Sequence, residues 1–234
     1  MRALFVQQDH VSPVGPVGDQ FAARGYEVEE FLVVPEDRFH APDVEVAFPD
    51  PTTYDVIVPM GAPWSVYDEA TIGAWVLEEL TFLRRAHEAG VPVLGICFGA
   101  QALASALGGS VERAPEPEIG WYAVDTTAPD LVESGPWFQW HHDRFAAPPG
   151  SEVLASTPLC PQAYTIGRSL GVQFHPELTP AMLRGWLANG GRTYLDAHGM
   201  DADAMLEQTD AGAADAERRS RALVDRFLDQ VARR

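Results

Sequence analysis

The chain contains no lysine, and this absence shapes its electrostatics. All 16 basic residues are arginines, and they stand against 34 aspartates and glutamates, which gives a net charge of −18. A protein of this charge repels the phosphate backbone of nucleic acids, so we expect no nucleic-acid partner. The excess of acidic groups favours solubility instead.

Cysteine is almost as scarce. The chain has two, Cys97 and Cys160, and no group of cysteines and histidines has the spacing of zinc ligands. Two cysteines in a sequence without an export signal do not indicate a disulfide framework. We therefore expect no disulfide, no metal ion and no cofactor.

Long apolar runs are missing as well. No segment approaches the ~18 consecutive apolar residues of a membrane span, and residues 1–4 lead into a strand-like run rather than a signal peptide. A cytoplasmic protein with no membrane partner is the prediction. Hydrophobic residues make up 46% of the chain, which indicates a folded protein. We expect a single domain over residues 1–234, with a C-terminal helical extension at about 200–234.

Strand-like and helix-like segments alternate in the first half of the chain. Short segments rich in β-branched or aromatic residues predict strands at 3–7, 27–34, 55–59 and 92–96. Apolar residues at helical spacing, followed by glycine, predict helices at 16–25 and 68–90. In the second helix, Glu78 and Glu79 lie mostly off the apolar stripe. Such alternation is typical of an α/β fold with a mostly parallel central sheet flanked by helices.

The second half has a different pattern. Short strand candidates separated by turn residues occur at 122–125, 135–140, 153–156, 163–166 and 170–174. They predict an antiparallel or mixed extension of the sheet. Further helices are predicted at 181–188, 200–210 and 214–234.

One of the two cysteines lies between glycines, in the sequence GICFG at residues 95–99. If a strand ends near Ile96 and a helix begins near Phe98, Cys97 occupies a sharp turn whose neighbours two residues away must be small. The N-terminus of the helix then helps to stabilise a thiolate. The turn predicts a nucleophile, although a cysteine packed among small residues gives the same pentapeptide.

A candidate base occurs in the sequence GVQFHPE at residues 171–177. Side chains two apart in an extended segment lie on the same side, so Glu177 can reach the imidazole of His175. Pro176 biases His175 toward that extended conformation. A carboxylate on one ring nitrogen fixes the tautomer and leaves the other nitrogen to take a thiol proton. A structural histidine at a strand end explains the tripeptide equally well.

Together these motifs resemble the class I glutamine amidotransferases, in which a turn of the form G-x-C-x-G-x-Q precedes a strand that ends in H-P-E. Here the two motifs are residues 95–101 and 175–177. The sequence PMGAP at 59–63 lies where the family has its oxyanion loop, and EIGW at 118–121 and QWHHD at 139–143 fall at family-typical places. The resemblance covers about residues 56–186 and implies a flavodoxin-like fold with a nucleophile elbow.

The resemblance also implies a mechanism. Cys97 attacks the side-chain amide carbon of glutamine, His175 transfers the proton to the leaving ammonia, and water hydrolyses the thioester to glutamate. The oxyanion is bound by the backbone N–H of Phe98 and by that of Gly61 or Ala62.

Four residues are assigned to substrate binding on the same resemblance. Gln101, one helical turn beyond the nucleophile, binds the α-amino or carboxylate group of the substrate. Trp140, His141 and His142 belong to the loop that contacts the glutamine backbone. Many family members have glycine where this chain has His142, so the loop carries an extra imidazole here. Structural roles are favoured over a second catalytic pair for His141 and Asp143.

Three functions remain open at this point. The first is a glutamine amidotransferase or glutaminase that passes its ammonia to a separate synthetase. The second is a hydrolase of the same fold that cleaves glutamine or another γ-glutamyl amide, which requires a wider pocket. The third is a non-catalytic regulatory subunit, which the intact set of Cys97, His175 and Glu177 disfavours.

Overall fold

The computed structural model describes residues 1–233 and leaves out Arg234. The strands in this range are β1 (Arg2–Gln7), β2 (Glu27–Leu32), β3 (Val56–Pro59), β4 (Val93–Ile96), β5 (Ser110–Tyr122), β6 (Asp125–Thr126), β7 (Trp137–Ala146), β8 (Glu152–Ser156), β9 (Pro161–Ile166) and β10 (Ser169–Val172). The helices are α1 (Gly15–Ala23), α2 (Glu69–Glu88), α3 (Phe98–Ala106), α4 (Pro180–Trp186), α5 (Arg192–Ala197) and α6 (Ala202–Arg226). In residues 1–233, no helix is both long and apolar enough to cross a membrane.

Eight of the strands form one sheet, in the order β2-β1-β3-β4-β10-β9-β8-β6. The five strands from β2 to β10 are parallel, whereas β9, β8 and β6 are joined to them by antiparallel pairing. This arrangement confirms the predicted α/β fold with a mostly parallel centre and an antiparallel extension.

The inner parallel strands β1, β3, β4 and β10 are buried on both faces, whereas the edge strand β2 is partly exposed. In β1, Phe5 points to the layer that contains α1 and α6, where its ring meets that of Phe21 edge-on with centroids 5.5 Å apart. Leu4 and Val6 point to the opposite layer, which α2 and α3 cover. Alternate residues of a strand face opposite sides, so a continuous apolar run is what a doubly covered strand requires.

The strands β5 and β7 form a separate two-stranded sheet, so the expectation that the whole second half extends the main sheet is wrong for this pair. The strand β5 is also much longer than the segment 122–125 predicted for it. Two prolines, Pro115 and Pro117, interrupt its pattern, and its register with β7 shifts between Arg113 and Glu118. Proline cannot donate to a ladder, and it usually marks an edge or a bulge.

The C-terminal part contains one long helix rather than the two that were predicted. The helix α6 runs without a break through Gly212, and a π-type turn at Phe227–Val231 follows it. Asp201 caps its start by accepting hydrogen bonds from the N–H groups of Asp203 and Ala204, each at 3.0 Å. Position 234 of the predicted helix lies outside the described residues, and the assignment of a single domain stays a prediction.

Glu79 is the other departure from the sequence pattern. It lies on the buried face of α2 and is fully buried. The side chain of Gln8, the residue after β1, donates a hydrogen bond of 2.7 Å to its Oε1. A buried carboxyl group needs such a partner.

Candidate active site

Cys97 lies on the turn between β4 and α3. Its backbone has φ 50° and ψ −108°, and it is the only residue other than glycine with positive φ in residues 1–233. Such a conformation is strained for a residue with a side chain. The N–H of Cys97 donates to the Val172 carbonyl at 2.8 Å, and its carbonyl accepts from the N–H of Gln101 at 3.0 Å. The adjacent strand and helix therefore hold the strained turn.

Close backbone approach explains the two glycines that flank Cys97. A Cβ atom at Gly95 would lie 2.8 Å from the Cα of Ala100, and one at Gly99 would collide with the carbonyl oxygen of Pro59. These contacts let α3 begin directly above the ends of β3 and β4. The sulfur consequently projects at the carboxyl edge of the sheet, where ligands bind in open α/β folds.

His175 follows β10 and is fixed on several sides. Its Nδ1 lies 2.7 Å from Oε1 of Glu177, whose side chain is fully buried. The backbone N–H of His175 donates to the Phe138 carbonyl at 2.8 Å, and its ring meets the ring of Trp186 with centroids 5.0 Å apart. The other ring nitrogen, Nε2, is buried and has no hydrogen-bond partner within residues 1–233. A carboxylate at Nδ1 directs the neutral ring to present Nε2 as the proton acceptor.

The charges around His175 favour its protonated form. Burial alone lowers the pKa of the imidazole, but the negative charges of Cys97 and Glu177 outweigh it, so the pKa is raised well above its ordinary value. The site therefore favours an imidazolium at His175, beside the sulfur of Cys97.

The predicted oxyanion loop lies against both residues. A Cβ atom at Gly61 would lie 2.9 Å from Cε1 of His175 and 3.8 Å from Cβ of Cys97. Phe98 is the first residue of α3, so its N–H has no acceptor inside the helix and carries the positive end of the helix dipole. The backbone of Gly61 and the first N–H of α3 thus both lie next to Cys97.

Cys97, His175 and Gly61 line one cavity of about 300 Å³. Residues from seven parts of the chain surround it: the loops after β1 and β2, the segment after β3, the elbow with α3, the β5–β7 pair, the segment after β10, and the segment from α4 to α5. The lining includes Asp9, Val11, Ser12, Phe39, Gly61, Trp64, Cys97, Gln101, Arg113, Trp140, His141, His142, His175, Trp186, Asn189, Gly191 and Tyr194.

Gln101 reaches this cavity, but its side chain is also engaged inside the protein. It is 4% exposed, and its Nε2 donates to Oε1 of Gln173 at 3.1 Å and to the Asp143 carbonyl at 3.2 Å. The Nε2 of Gln173 in turn lies 3.7 Å from the sulfur of Cys97. The two amides form a polar wall beside the nucleophile, and Gln101 is not a solvent-facing residue.

His141 belongs to a buried hydrogen-bond network rather than to the nucleophile. Its Nε2 lies 3.1 Å from Oε2 of Glu118, and its Nδ1 lies 2.9 Å from the carbonyl of Asp143. The same oxygen of Glu118 accepts from Nε2 of Gln162 at 2.7 Å and from the thiol of Cys160 at 3.3 Å. This buried carboxylate positions the strand that forms one wall of the cavity.

Glu118, His141 and Cys160 are also the chemical types that bind a metal ion, and their ligand atoms lie within 4.8 Å of one another. Gln162, however, directs its Nε2 donor at both Glu118 and the Cys160 sulfur, the latter at 3.3 Å. An N–H donor in that position occupies the lone pairs of the carboxylate oxygen and the sulfur, which a cation would need as ligands. The cluster is therefore a hydrogen-bond network built around one carboxylate.

Trp140 and His142 face the C-terminal side of the cavity. The ring of Trp140 packs edge-on against Trp186 at 5.9 Å. His142 is half-buried, and its Nε2 lies 2.6 Å from the hydroxyl of Tyr194 in α5. The imidazole that replaces the usual glycine of the loop thus connects the β5–β7 pair to the helix that closes this side.

Sequence reasoning missed several residues in and around the cavity, among them Gln173, Tyr194 and Arg113. The signal for Gln173 was present, because it is two residues before His175 and strand alternation places both side chains on one side. Tyr194 was in a segment assigned to no element. Arg113 was in a strand that its prolines concealed.

The family follows from a comparison with known proteins. The model of the family described as "Glutamine amidotransferase class-I" matches residues 21–189. The chain belongs to the class-I glutamine amidotransferase family. This confirms the predicted family and, with it, the prediction of an enzyme of this cysteine-dependent class.

Curated bacterial proteins are similar to this chain. The chain is 44% identical over 136 residues to a GMP synthase [glutamine-hydrolyzing] of Leifsonia xyli, a match over 52% of this chain and 25% of that protein. The chain spans about a quarter of the length of the curated relatives it matches.

Solved structures show the same fold over nearly the whole chain. A glutamine amidotransferase from Methylobacillus flagellatus superposes with a TM-score of 0.84 at 24% identity, over 98% of this chain and 95% of that one. Another from Thermotoga maritima gives 0.83 at 23% identity, over 98% and 99%. These likenesses confirm the fold class.

Proposed function

We propose that this amidotransferase hydrolyses the side-chain amide of glutamine through Cys97, His175 and Glu177. The observation that carries the proposal is the arrangement of His175, whose Nδ1 is held by Glu177 at 2.7 Å while its unpartnered Nε2 and the Cys97 sulfur share one cavity. A nucleophile, a base and an orienting carboxylate are the groups that acyl transfer requires.

The reaction proceeds in two balanced steps. In the first, the thiolate of Cys97 forms a C–S bond with the amide carbon, the C–N bond breaks, and the imidazolium of His175 gives its proton to the departing ammonia. In the second, His175 takes a proton from water as the water oxygen forms a C–O bond with the thioester carbon, and the C–S bond breaks. Glutamate leaves, its carboxyl group releases the second water proton to solvent, and the Cys97 thiolate and the His175 imidazolium are restored. The N–H groups of Gly61 and Phe98 bind the oxyanion in both steps.

The ammonia acceptor is proposed to be a separate synthetase. Support comes from the curated relatives, which carry the name GMP synthase and are about four times as long as the part that aligns with this chain. A synthetase reaction in another protein or domain is consistent with that difference in length.

A second substrate class is favoured by the size of the cavity. Its volume of about 300 Å³ lies at the lower end of the range for small-molecule sites, so it does not restrict the leaving group to ammonia. A γ-glutamyl amide with a larger amine is therefore the alternative substrate for the same triad.

Ammonia and glutamate release from glutamine tests the proposal. Wild-type protein is expected to produce both in equal amounts, and Cys97→Ala and Cys97→Ser are expected to produce neither while keeping the wild-type circular dichroism spectrum. Faster cleavage of γ-glutamyl methylamide than of glutamine would favour the hydrolase. If the wild type cleaves neither substrate and Cys97 resists a glutamine-like chloroketone, the proposal is wrong and a non-catalytic subunit is left.

A further inference from the structure

Arg113 differs from the other arginines in residues 1–233 in its ion pairs and hydrogen bonds. Most of them form ion pairs with aspartates or glutamates, and Arg38, Arg84 and Arg168 donate to backbone carbonyls. Among the arginines at positions 1–233, only Arg113 has neither an ion pair nor a hydrogen bond. Its side chain is exposed and lines the cavity that holds Cys97 and His175.

The acidic groups nearest to Arg113 along the β5–β7 pair are already bound elsewhere. Asp143 is its partner across the strands, but the carboxylate of Asp143 accepts from the hydroxyl of Ser65 at 2.5 Å and from that of Tyr67 at 2.9 Å. Glu112, the preceding residue, is paired with Arg144 at 2.7 Å. The guanidinium of Arg113 is thus left without an anion in a protein of net charge −18.

The charge of Arg113 acts on the cavity. Burial lowers the pKa of His142, and the positive charge of Arg113 lowers it further, which places the guanidinium close to that wall. Arg113 is also the only arginine that lines the cavity, whose other basic groups are imidazoles. An exposed cation at the mouth of a site attracts an anionic substrate.

We propose that Arg113 recognises a carboxylate of the substrate. This inference rests on the proposed function, because the substrate is the one that Cys97 attacks. A guanidinium binds a carboxylate through two parallel hydrogen bonds, which adds orientation to affinity. Two carboxylates qualify: the α-carboxylate of the glutamyl unit, and the carboxylate of an amino acid that leaves as the amine of a γ-glutamyl dipeptide.

Four substrates separate these two sources: glutamine, the α-amide of glutamine, γ-glutamylglycine and γ-glutamyl methylamide. The variant is Arg113→Gln, and the matched control is Arg85→Gln, a change at an exposed arginine of α2 outside the cavity. If Arg113 binds the α-carboxylate, Arg113→Gln lowers kcat/KM about ten- to a hundred-fold for every substrate except the α-amide. If it binds the leaving group, only γ-glutamylglycine is affected. Arg85→Gln matches the wild type in both cases.

A binding measurement keeps this test separate from catalysis. Calorimetric titration of glutamate and γ-glutamylglycine into Cys97→Ala is compared with the same titration into the double variant with Arg113→Gln. Weaker binding in the double variant supports the inference even if no substrate is cleaved. The absence of cleavage would count only against the proposed function. Equal binding, with equal cleavage of all four substrates by wild type and Arg113→Gln, overturns it.

Discussion

At the scale of single residues, the contact between His175 and Glu177 helps to raise the pKa of the imidazole. The carboxylate of Glu177 is one of the two negative charges that raise the pKa of His175. Since the proposed reaction gives the departing ammonia its proton from this imidazolium, activity is expected to fall as pH rises through the pKa of His175. A weaker negative charge at position 177 must therefore shift that fall to lower pH.

The variant Glu177→Gln tests this directly. We expect kcat/KM to drop about a hundred-fold or more and the alkaline limb of its pH profile to move to lower pH. Glu116→Gln, an exposed glutamate, serves as the control and should keep both the rate and the limb. An unchanged alkaline limb in Glu177→Gln would show that another group titrates there.

The two thiols differ in reactivity for reasons visible at each residue. Burial, and then the negative charge of Glu118, raises the pKa of Cys160 to about 12, so this thiol stays protonated and donates to Glu118 at 3.3 Å. Cys97 lies beside a protonated His175 at the edge of a cavity. Only thiolates are alkylated at an appreciable rate.

Iodoacetamide at neutral pH is therefore expected to label Cys97 and leave Cys160 unmodified. Peptide mapping by mass spectrometry measures the two sites, and Cys97→Ser is the control in which no label should enter the folded protein. Labelling of both thiols at similar rates would contradict the difference argued here.

At the scale of elements, the loop after β3 comes so close to His175 that it requires glycine at position 61, where the proposed reaction places an oxyanion donor. The backbone of Gly61 is so near that a methyl group there would lie 2.9 Å from Cε1 of His175. The ring of His175 has little room to move, because Trp186 packs against it at 5.0 Å.

Gly61→Ala is consequently expected to displace the imidazole from Cys97 and to lower kcat about ten- to a hundred-fold, with little change in thermal stability. Gly73→Ala is the matched control, since its added methyl group meets only the Cβ of Glu69 at an ordinary 3.7 Å. Measurement of kcat and of the unfolding temperature for both variants distinguishes displacement from unfolding. A fully active Gly61→Ala would show that the loop after β3 moves to make room for the added methyl group.

The elements that carry Cys97 and His175 were predictable because their signals are local. Glycines around a cysteine and a proline after a histidine fix backbone conformation within a few residues. The opposite holds for β5, where Pro115 and Pro117 weaken the strand pattern and pairing with β7 restores it. The continuous α6 escaped prediction for a similar reason, because Gly212 and its polar neighbours suggested a break that packing on α1 and α4 prevents.

At the scale of the whole molecule, burial overrides the local pattern at Glu79. The helical spacing placed this residue mostly off the apolar stripe, yet it is fully buried against the end of β1. Burial raises the pKa of its carboxyl group to about 8, so the acid is neutral in the folded protein at neutral pH. In the unfolded chain the same group ionises at its ordinary pKa of 4.5.

This difference couples the stability of the fold to pH. Below pH 4.5 both states hold the proton, and the full contribution of Glu79 is present. Between pH 4.5 and about 8 the unfolded chain binds fewer protons than the folded one, so stability falls as pH rises and then levels off. The loss is on the order of a few kcal/mol.

Replacement of Glu79 by glutamine removes the ionisable group and keeps an oxygen for the hydrogen bond from Gln8. We expect Glu79→Gln to gain stability relative to the wild type as pH rises from 5 to 8.5, by a few kcal/mol at the upper end. The measurement is urea unfolding at several pH values, read as the difference between the two proteins so that other titrating groups cancel. Glu78→Gln, an exposed neighbour on the same helix, should show a difference that does not change with pH. If Glu79→Gln behaves like Glu78→Gln, the buried carboxyl group does not set the alkaline stability of this protein.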